Sequence, residues 1–211
     1  MDAAKAANVF EALRALYPEA RAELNFSNPF ETLIATILAA QCTDVRVNKV
    51  TARLFPAYPD AFAMAKLEPF ELEPWIKECG LYRNKAKHIV ATCRALVEQY
   101  GGQVPDTRAE MMKLPGVGQK TAGVVLLAAF GDDQIPVDTH VFRVSNRIGL
   151  ACANTADKVE VQLRALLPKV EWSLDHHLLI WHGRRCCHAI KPECSRCPLN
   201  AGDLCEHKPT E

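Results

Sequence analysis

The chain has 211 residues, enough for one large domain or two small lobes with a real core. Apolar residues make up 49% and charged residues 24%, an ordinary globular composition, and the longest apolar run, Val124 to Phe130, is far too short to span a membrane. With 25 basic and 25 acidic side chains the net charge is zero, which excludes a globally basic surface; a nucleic-acid partner would have to be met by local patches.

Nearly every segment carries helical periodicity, and no run sustains strand alternation, so the fold class reads as all-α. The N-terminal stretch has no continuous apolar segment of the kind a secretion signal needs. It predicts a helix on Val9, Phe10, Leu13 and Leu16 that stops at Pro18. A second helix has a full start signal, with Asn28 as cap, Pro29 at the first helical position and Glu31 three residues after the cap. Its buried face is Phe30, Leu33, Ile34, Ile37 and Leu38. Gln41 to Thr43 break the pattern, and a third helix runs through Val47, Val50 and Leu54. Short helices follow between Pro59 and Cys79, with Leu72, Trp75 and Ile76 inward. Gly80 is a stop. The exposed-looking pair Leu81-Tyr82 comes next, then a longer helix from Asn84 to Tyr100 that buries Ile89, Val90, Cys93, Leu96 and Val97. Arg83, Lys85, Lys87 and His88 crowd the start of that helix, where the dipole disfavours cations; the mismatch hints at an anionic partner over an otherwise solvated face.

After the Gly101-Gly102 linker a short helix ends at Lys113, and Leu114-Pro115-Gly116-Val117-Gly118 leads into an apolar helix beginning near Gln119. Two glycines flanking one residue let the backbone turn tightly and approach a ligand, and the free N–H groups of the helix start favour an anion. This is no Walker loop, because Gly-Lys-Ser/Thr does not follow at the required spacing. Lys120, in the first turn, reads either as a surface charge or as a working amine held at the mouth of a core helix. Asp138 stands where a helix cap belongs, ahead of Val141, Phe142 and Val144, and capping alone accounts for a carboxylate there. Thr155 caps a further helix with Val159, Leu163, Leu166 and Leu167, and a last one runs from about Trp172 to Trp181.

Five of the nine cysteines fall between Cys186 and Cys205. A disulfide framework would spread them differently, so a metal site in a reducing, cytoplasmic setting fits better. The spacing Cys187-x6-Cys194-x2-Cys197-x7-Cys205, punctuated by Pro192, Pro198 and Gly202, can close around a tetrahedral zinc or a cubane, and spacing does not separate the two. Cys186 reads as packing or a spare thiol. Arg184, Arg185, Lys191 and Arg196 against Glu193 make this loop basic, giving a neutral chain one local means of reaching phosphates.

Taken together, LPGVGQKTAGVV, IPVDTHVFRV and the four-cysteine tail resemble the endonuclease III family of base-excision DNA glycosylases, with LAAQCTDVRVNK (38–49) and GLYRNKAKHI (80–89) as further matching segments. The resemblance covers nearly the whole chain. It implies two helical lobes with a DNA-binding groove between them. One is a bundle over 22–132 ending in a helix-hairpin-helix at about 107–130; the other combines 1–21 with 133–211 and carries the cluster loop, 187–205. It implies a [4Fe-4S] cluster on Cys187, Cys194, Cys197 and Cys205, although the family usually has five residues between the last two cysteines and this chain has seven. Lys120 matches the family's nucleophilic amine and Asp138 its catalytic carboxylate. Gly116 and Gly118 match the hairpin that grips a DNA phosphate, and Gln41 and Leu81 match positions that fill the gap when a base is extruded.

The implied activity is a bifunctional DNA glycosylase and AP lyase of base excision repair. It would remove oxidised pyrimidines from damaged double-stranded DNA, as a monomer, in the cytoplasm or at a bacterial nucleoid. Such chemistry needs an uncharged amine, which a helix start, partial burial and neighbouring cations would all favour. A mismatch adenine glycosylase of the same fold is a poorer match: those lack the lysine and add a C-terminal recognition domain, whereas this chain has Lys120 and continues six residues past Cys205. The remaining alternatives are a non-catalytic helix-hairpin-helix DNA-binding protein with a structural metal loop, and a cluster-based redox sensor.

Overall fold

The computed structural model describes residues 1–207, so the last four residues of the expected second lobe lie outside it. Twelve α-helices and three short 3-10 turns occur among the described residues, and no strand. No helix is long and apolar enough to cross a membrane. The chain divides into two compact units, Ala22–Asp132 and Met1–Arg21 together with the chain from Asp133 on.

The unit Ala22–Asp132 contains α2 (Pro29–Ala39), α3 (Asp44–Ala57), α4 (Ala61–Ala65), α5 (Pro69–Ile76), α6 (Tyr82–Tyr100), α7 (Arg108–Met111) and α8 (Gln119–Phe130). The start signal of α2 works as written, since Asn28 accepts from the Glu31 N–H. Phe30 and every residue of α2 from Thr32 to Leu38 are buried, Thr32 and Thr36 included; their hydroxyls donate back to the Asn28 and Thr32 carbonyls and so satisfy themselves within the helix. α8 packs along α2, as its apolar sequence requires, with Ala122, Val125, Leu126 and Leu127 in the core. α6 starts at Tyr82, two residues ahead of the expected Asn84, because Leu81 adopts a left-handed backbone that turns the chain directly into the helix.

The other unit holds α1 (Ala3–Leu16), α9 (Thr139–Ile148), α10 (Ala156–Leu166), α11 (Trp172–Arg185) and α12 (Pro198–Ala201). Its core joins Phe10 and Leu13 of α1 to Val141, Val144 and Ile148 of α9 and to Leu178 and Leu179 of α11. α11 runs past Trp181 to Arg185. Gly183 lets it pass close to α9, where an added Cβ would lie 3.0 Å from the His140 Cβ. Arg14 on α1 ties α1 to α11 through Asp175 at 3.1 Å and through Glu171.

Candidate functional site

The hairpin before α8 is shaped by the unit's own contacts. The Leu114 N–H bonds the Met111 carbonyl and the Val117 N–H bonds the Leu114 carbonyl, each at 3.1 Å, while Leu114 and Val117 plug into the core. Buried Thr92 on α6 donates to the Pro115 carbonyl at 2.6 Å and pins the turn from below. Gly116 has φ +76°, and a Cβ there would sit 2.8 Å from the Cβ of His88, so both backbone and space demand glycine. Gly118 is different. Its backbone is extended and nothing lies within 4 Å of an added Cβ, so no protein contact explains the missing side chain. It stands at the start of α8, where no side chain accepts from the first N–H groups. Gln119 is engaged by Arg108 at 3.0 Å.

Lys120 is the second residue of α8 and is exposed; the expected partial burial is not found, because burial in this helix begins only at Ala122. Asp138, in the other unit, is half-buried. Its Oδ1 accepts from the His140 and Val141 N–H groups, each at 2.8 Å, so the capping reading of this carboxylate holds in full.

Gln41 and Leu81 are both exposed and both left-handed, with φ of +53° and +47°. Non-glycine residues rarely accept this region, and a bulky one such as leucine does so only when its surroundings force it. The basic cluster beside Leu81 divides. Arg83, Lys87 and His88 are exposed, whereas Lys85 is buried, with its ammonium donating to the Leu38 and Cys79 carbonyls. Burial holds its pKa below the usual lysine value. Lys85 therefore offers no charge to an anionic partner, and only Arg83, Lys87 and His88 present that face to solvent.

Cys187, Cys194, Cys197 and Cys205 line one cavity together with Cys186, His182, Ile148 and Pro192. None of these thiols is in a disulfide. The loop is gathered by two arginines one turn apart on α9. Arg143 donates to the Cys187 and Gly183 carbonyls at 3.0 and 2.8 Å, and Arg147 donates to the Ala189 carbonyl at 2.9 Å and approaches Cys187 Sγ at 3.6 Å. The seven residues between Cys197 and Cys205 form α12 and a left-handed turn at Asp203, closed by the Leu204 N–H on the Leu199 carbonyl at 2.8 Å. Pairing of Glu206 and His207 with the Ile148 and Arg147 carbonyls then returns Cys205 to the cavity wall.

Burial first, and neighbouring thiolates after it, push the Cys194 and Cys205 thiols up. A cationic centre that binds thiolates removes both penalties, so the donor set suits a metal or a cluster. The tightest donor group is His182, Cys186 and Cys197, within 4.8 Å of one another. Cys186 nonetheless behaves as packing: its thiol is buried, pushed up to about 12 mainly by burial, and directed at the Glu193 carbonyl at 3.8 Å. Burial lowers His182 to about 4, so a neutral imidazole lies between Tyr17 Oη at 3.2 Å and Cys197 Sγ at 3.7 Å. The basic loop is partly spent internally, with Arg196 paired to Glu193 and Arg185 stacked 3.5 Å over Trp181.

Of the sequence-predicted residues, Gly116, Gly118 and Lys120 share the start of α8, Gln41 and Leu81 occupy two turns of the same unit, the four cysteines share one cavity, and Asp138 stands by itself at the start of α9. Sequence reasoning missed Thr92, Lys85, Arg143, Arg147 and His182. The stripe Lys85–Ile89–Cys93, at helical spacing on a buried face, was a usable signal for the lysine.

The profile of the HhH-GPD superfamily base excision DNA repair proteins matches residues 34–169. Endonuclease III of Escherichia coli (strain K12) is 48% identical over 209 residues, covering 99% of this chain and 98% of that protein. Endonuclease III of Bacillus subtilis (strain 168) is 49% identical over 187 residues, covering 87% and 84%. A trapped endonuclease III–DNA covalent intermediate has a fold similar to this one at TM-score 0.93 and 45% identity, over 98% of this chain and 96% of that one. A thermostable thymine-DNA glycosylase is similar at TM-score 0.86 and 25% identity, over 96% of each chain. The all-helical fold, the matched span and identity of this order over nearly the full length make the chain a member of the endonuclease III family within the HhH-GPD superfamily of base-excision DNA repair proteins.

Proposed function

We propose that the chain is a bifunctional DNA glycosylase and AP lyase that removes oxidised pyrimidines from duplex DNA through a lysine Schiff base. The observation that carries the reading is the start of α8: an amine in the first turn of a helix whose N–H groups no side chain caps, behind a turn that only glycine can make. N–H groups left open at such a start suit a DNA phosphate and fix the register of the strand.

An extruded nucleotide brings its sugar to Lys120 and excludes water from an amine that the protein alone leaves exposed. The nitrogen of Lys120 bonds C1′ as the glycosidic bond breaks, and the base leaves with the electron pair and takes a proton. Opening of the sugar gives an imine. Loss of a C2′ proton then expels the 3′ phosphate by β-elimination, and water returns the free amine. Asp138 stabilises the developing sugar cation and carries protons, the task of a carboxylate beside a cationic transition state. Gln41 and Leu81 fill the gap that the extruded base leaves, offsetting roughly a few kcal/mol of unstacking. Cys187, Cys194, Cys197 and Cys205 hold a [4Fe-4S] cluster, which when bound fixes the fold of their loop.

The test is borohydride trapping on an abasic duplex. Lys120→Ala binds the duplex but forms no covalent adduct and no nicked product. Undiminished trapping in that variant removes Lys120 from the role, and a wild-type protein that neither traps nor nicks reduces the chain to a DNA-docking protein.

A further inference from the structure

Lys85 is 4% exposed, and burying an ammonium is costly unless its donors are met. They are met by two carbonyls from separate turns: Leu38 at 2.8 Å, in the last turn of α2, and Cys79 at 2.7 Å, in the turn ahead of α6. The first precedes Gln41 and the second precedes Leu81, the two left-handed residues. The backbone N–H of Lys85 also bonds the Leu81 carbonyl at 3.1 Å, so one residue holds the 79–81 turn from both sides. A helix leaves its last carbonyls without internal partners, and a cation suits that end. An apolar residue at position 85 would free both turns to relax.

We propose that Lys85 is a positioning residue for duplex opening: it clamps the Gln41 and Leu81 turns to each other so that the two side chains enter the DNA as one rigid wedge. This rests on the reading of Gln41 and Leu81 as the gap-filling pair. Neither turn has to be held for the imine chemistry itself, so the clamp matters where a base must be extruded from a duplex and is dispensable where no partner strand exists.

The experiment compares Lys85→Met, Gln41→Ala and Leu81→Ala with the wild type on two probes. The first is a duplex abasic site with 2-aminopurine beside it, whose fluorescence rises when the neighbouring step is unstacked. The second is a single-stranded abasic oligonucleotide, read by nicking. Lys85→Met is expected to lose the fluorescence rise and slow duplex nicking by about tenfold to a hundredfold, the scale of a small misplacement, while single-strand nicking stays at the wild-type rate. Wild-type behaviour of Lys85→Met, with Gln41→Ala and Leu81→Ala both defective, overturns the clamp alone. Wild-type behaviour of all three overturns the wedge reading and the clamp with it. Equal losses on both probes reduce Lys85 to a general stabiliser and also overturn the proposal. Should Lys85→Met not fold, Lys85→Arg carries the test, because a planar fork cannot serve both carbonyls from the same point. The same split between probes is then expected at smaller size, and its absence overturns the clamp.

Discussion

Two helices, one in each unit, begin from nearly the same backbone and treat their N–H groups in opposite ways. Gly118 before α8 has φ −98° and ψ −179°; Asp138 before α9 has φ −94° and ψ −174°. At α9 the carboxylate takes two N–H groups, and the helix start is closed. At α8 no side chain does so, and the start stays open. The difference is one of side chain, not of backbone, and it separates a helix end closed by the fold from one that the fold leaves uncapped. Within the unit Ala22–Asp132, α2, α4, α5 and α7 all have side-chain caps or a capping box. The helices that lack one are α3, α6 and α8, which follow Gln41, Leu81 and the hairpin. Stability worth about 1 kcal/mol per cap is forgone at these three positions.

The most damaging single change to the start of α8 is Gly116→Val. A β-branched side chain at φ +76°, with its Cβ 2.8 Å from His88, cannot keep the turn, and the start of α8 loses its orientation. Thermal unfolding should show a loss of about 2–4 kcal/mol, and duplex affinity should fall with it. Wild-type affinity in this variant would mean that the hairpin does not grip the backbone.

A sharper test copies the α9 solution onto α8. Gly118→Asp meets no atom within 4 Å of its Cβ and has the backbone of a working cap, so it should fold and gain a few tenths of a kcal/mol. Duplex binding should nevertheless weaken by about tenfold or more, because a carboxylate then occupies and repels the phosphate position. Gly118→Asn, a neutral cap, should weaken it less. Binding unchanged in both variants, measured at one fixed salt concentration, would show that the open N–H groups are not used.

The same comparison explains what could be read from the chain before its fold. Caps and glycine turns are local, so Asn28, Asp138 and the Gly-x-Gly hairpin announced themselves by residue type and spacing. The cysteines likewise carried a spacing. Long-range side-chain-to-carbonyl bonds carry none. Arg143 and Arg147 hold the cysteine loop through carbonyls about forty residues away, and nothing in their own neighbourhood says so. Lys85 was hidden for a different reason: charge outweighed position, although the residue lies on the buried stripe of α6. For Lys120, expected at the mouth of a core helix, only the partial burial was misjudged, because burial in α8 starts at Ala122.

The smallest effect on stability, and the one that separates two roles of a single side chain, is at Asp138. Asparagine keeps an oxygen where Oδ1 accepts from His140 and Val141, so Asp138→Asn should unfold within a few tenths of a kcal/mol of the wild type, whereas Asp138→Ala should lose about 1 kcal/mol. Capping and catalysis then predict different orders. If the carboxylate serves α9 alone, turnover follows stability, and the asparagine variant works while the alanine variant is modestly impaired. If the charge acts on the sugar, both variants turn over slowly by a similar factor and the stable one is no better than the unstable one. Single-turnover nicking measured beside thermal unfolding decides between them. Both N–H bonds converge on Oδ1, so an α9 cap needs one oxygen of Asp138, and the charge is the property left over for chemistry.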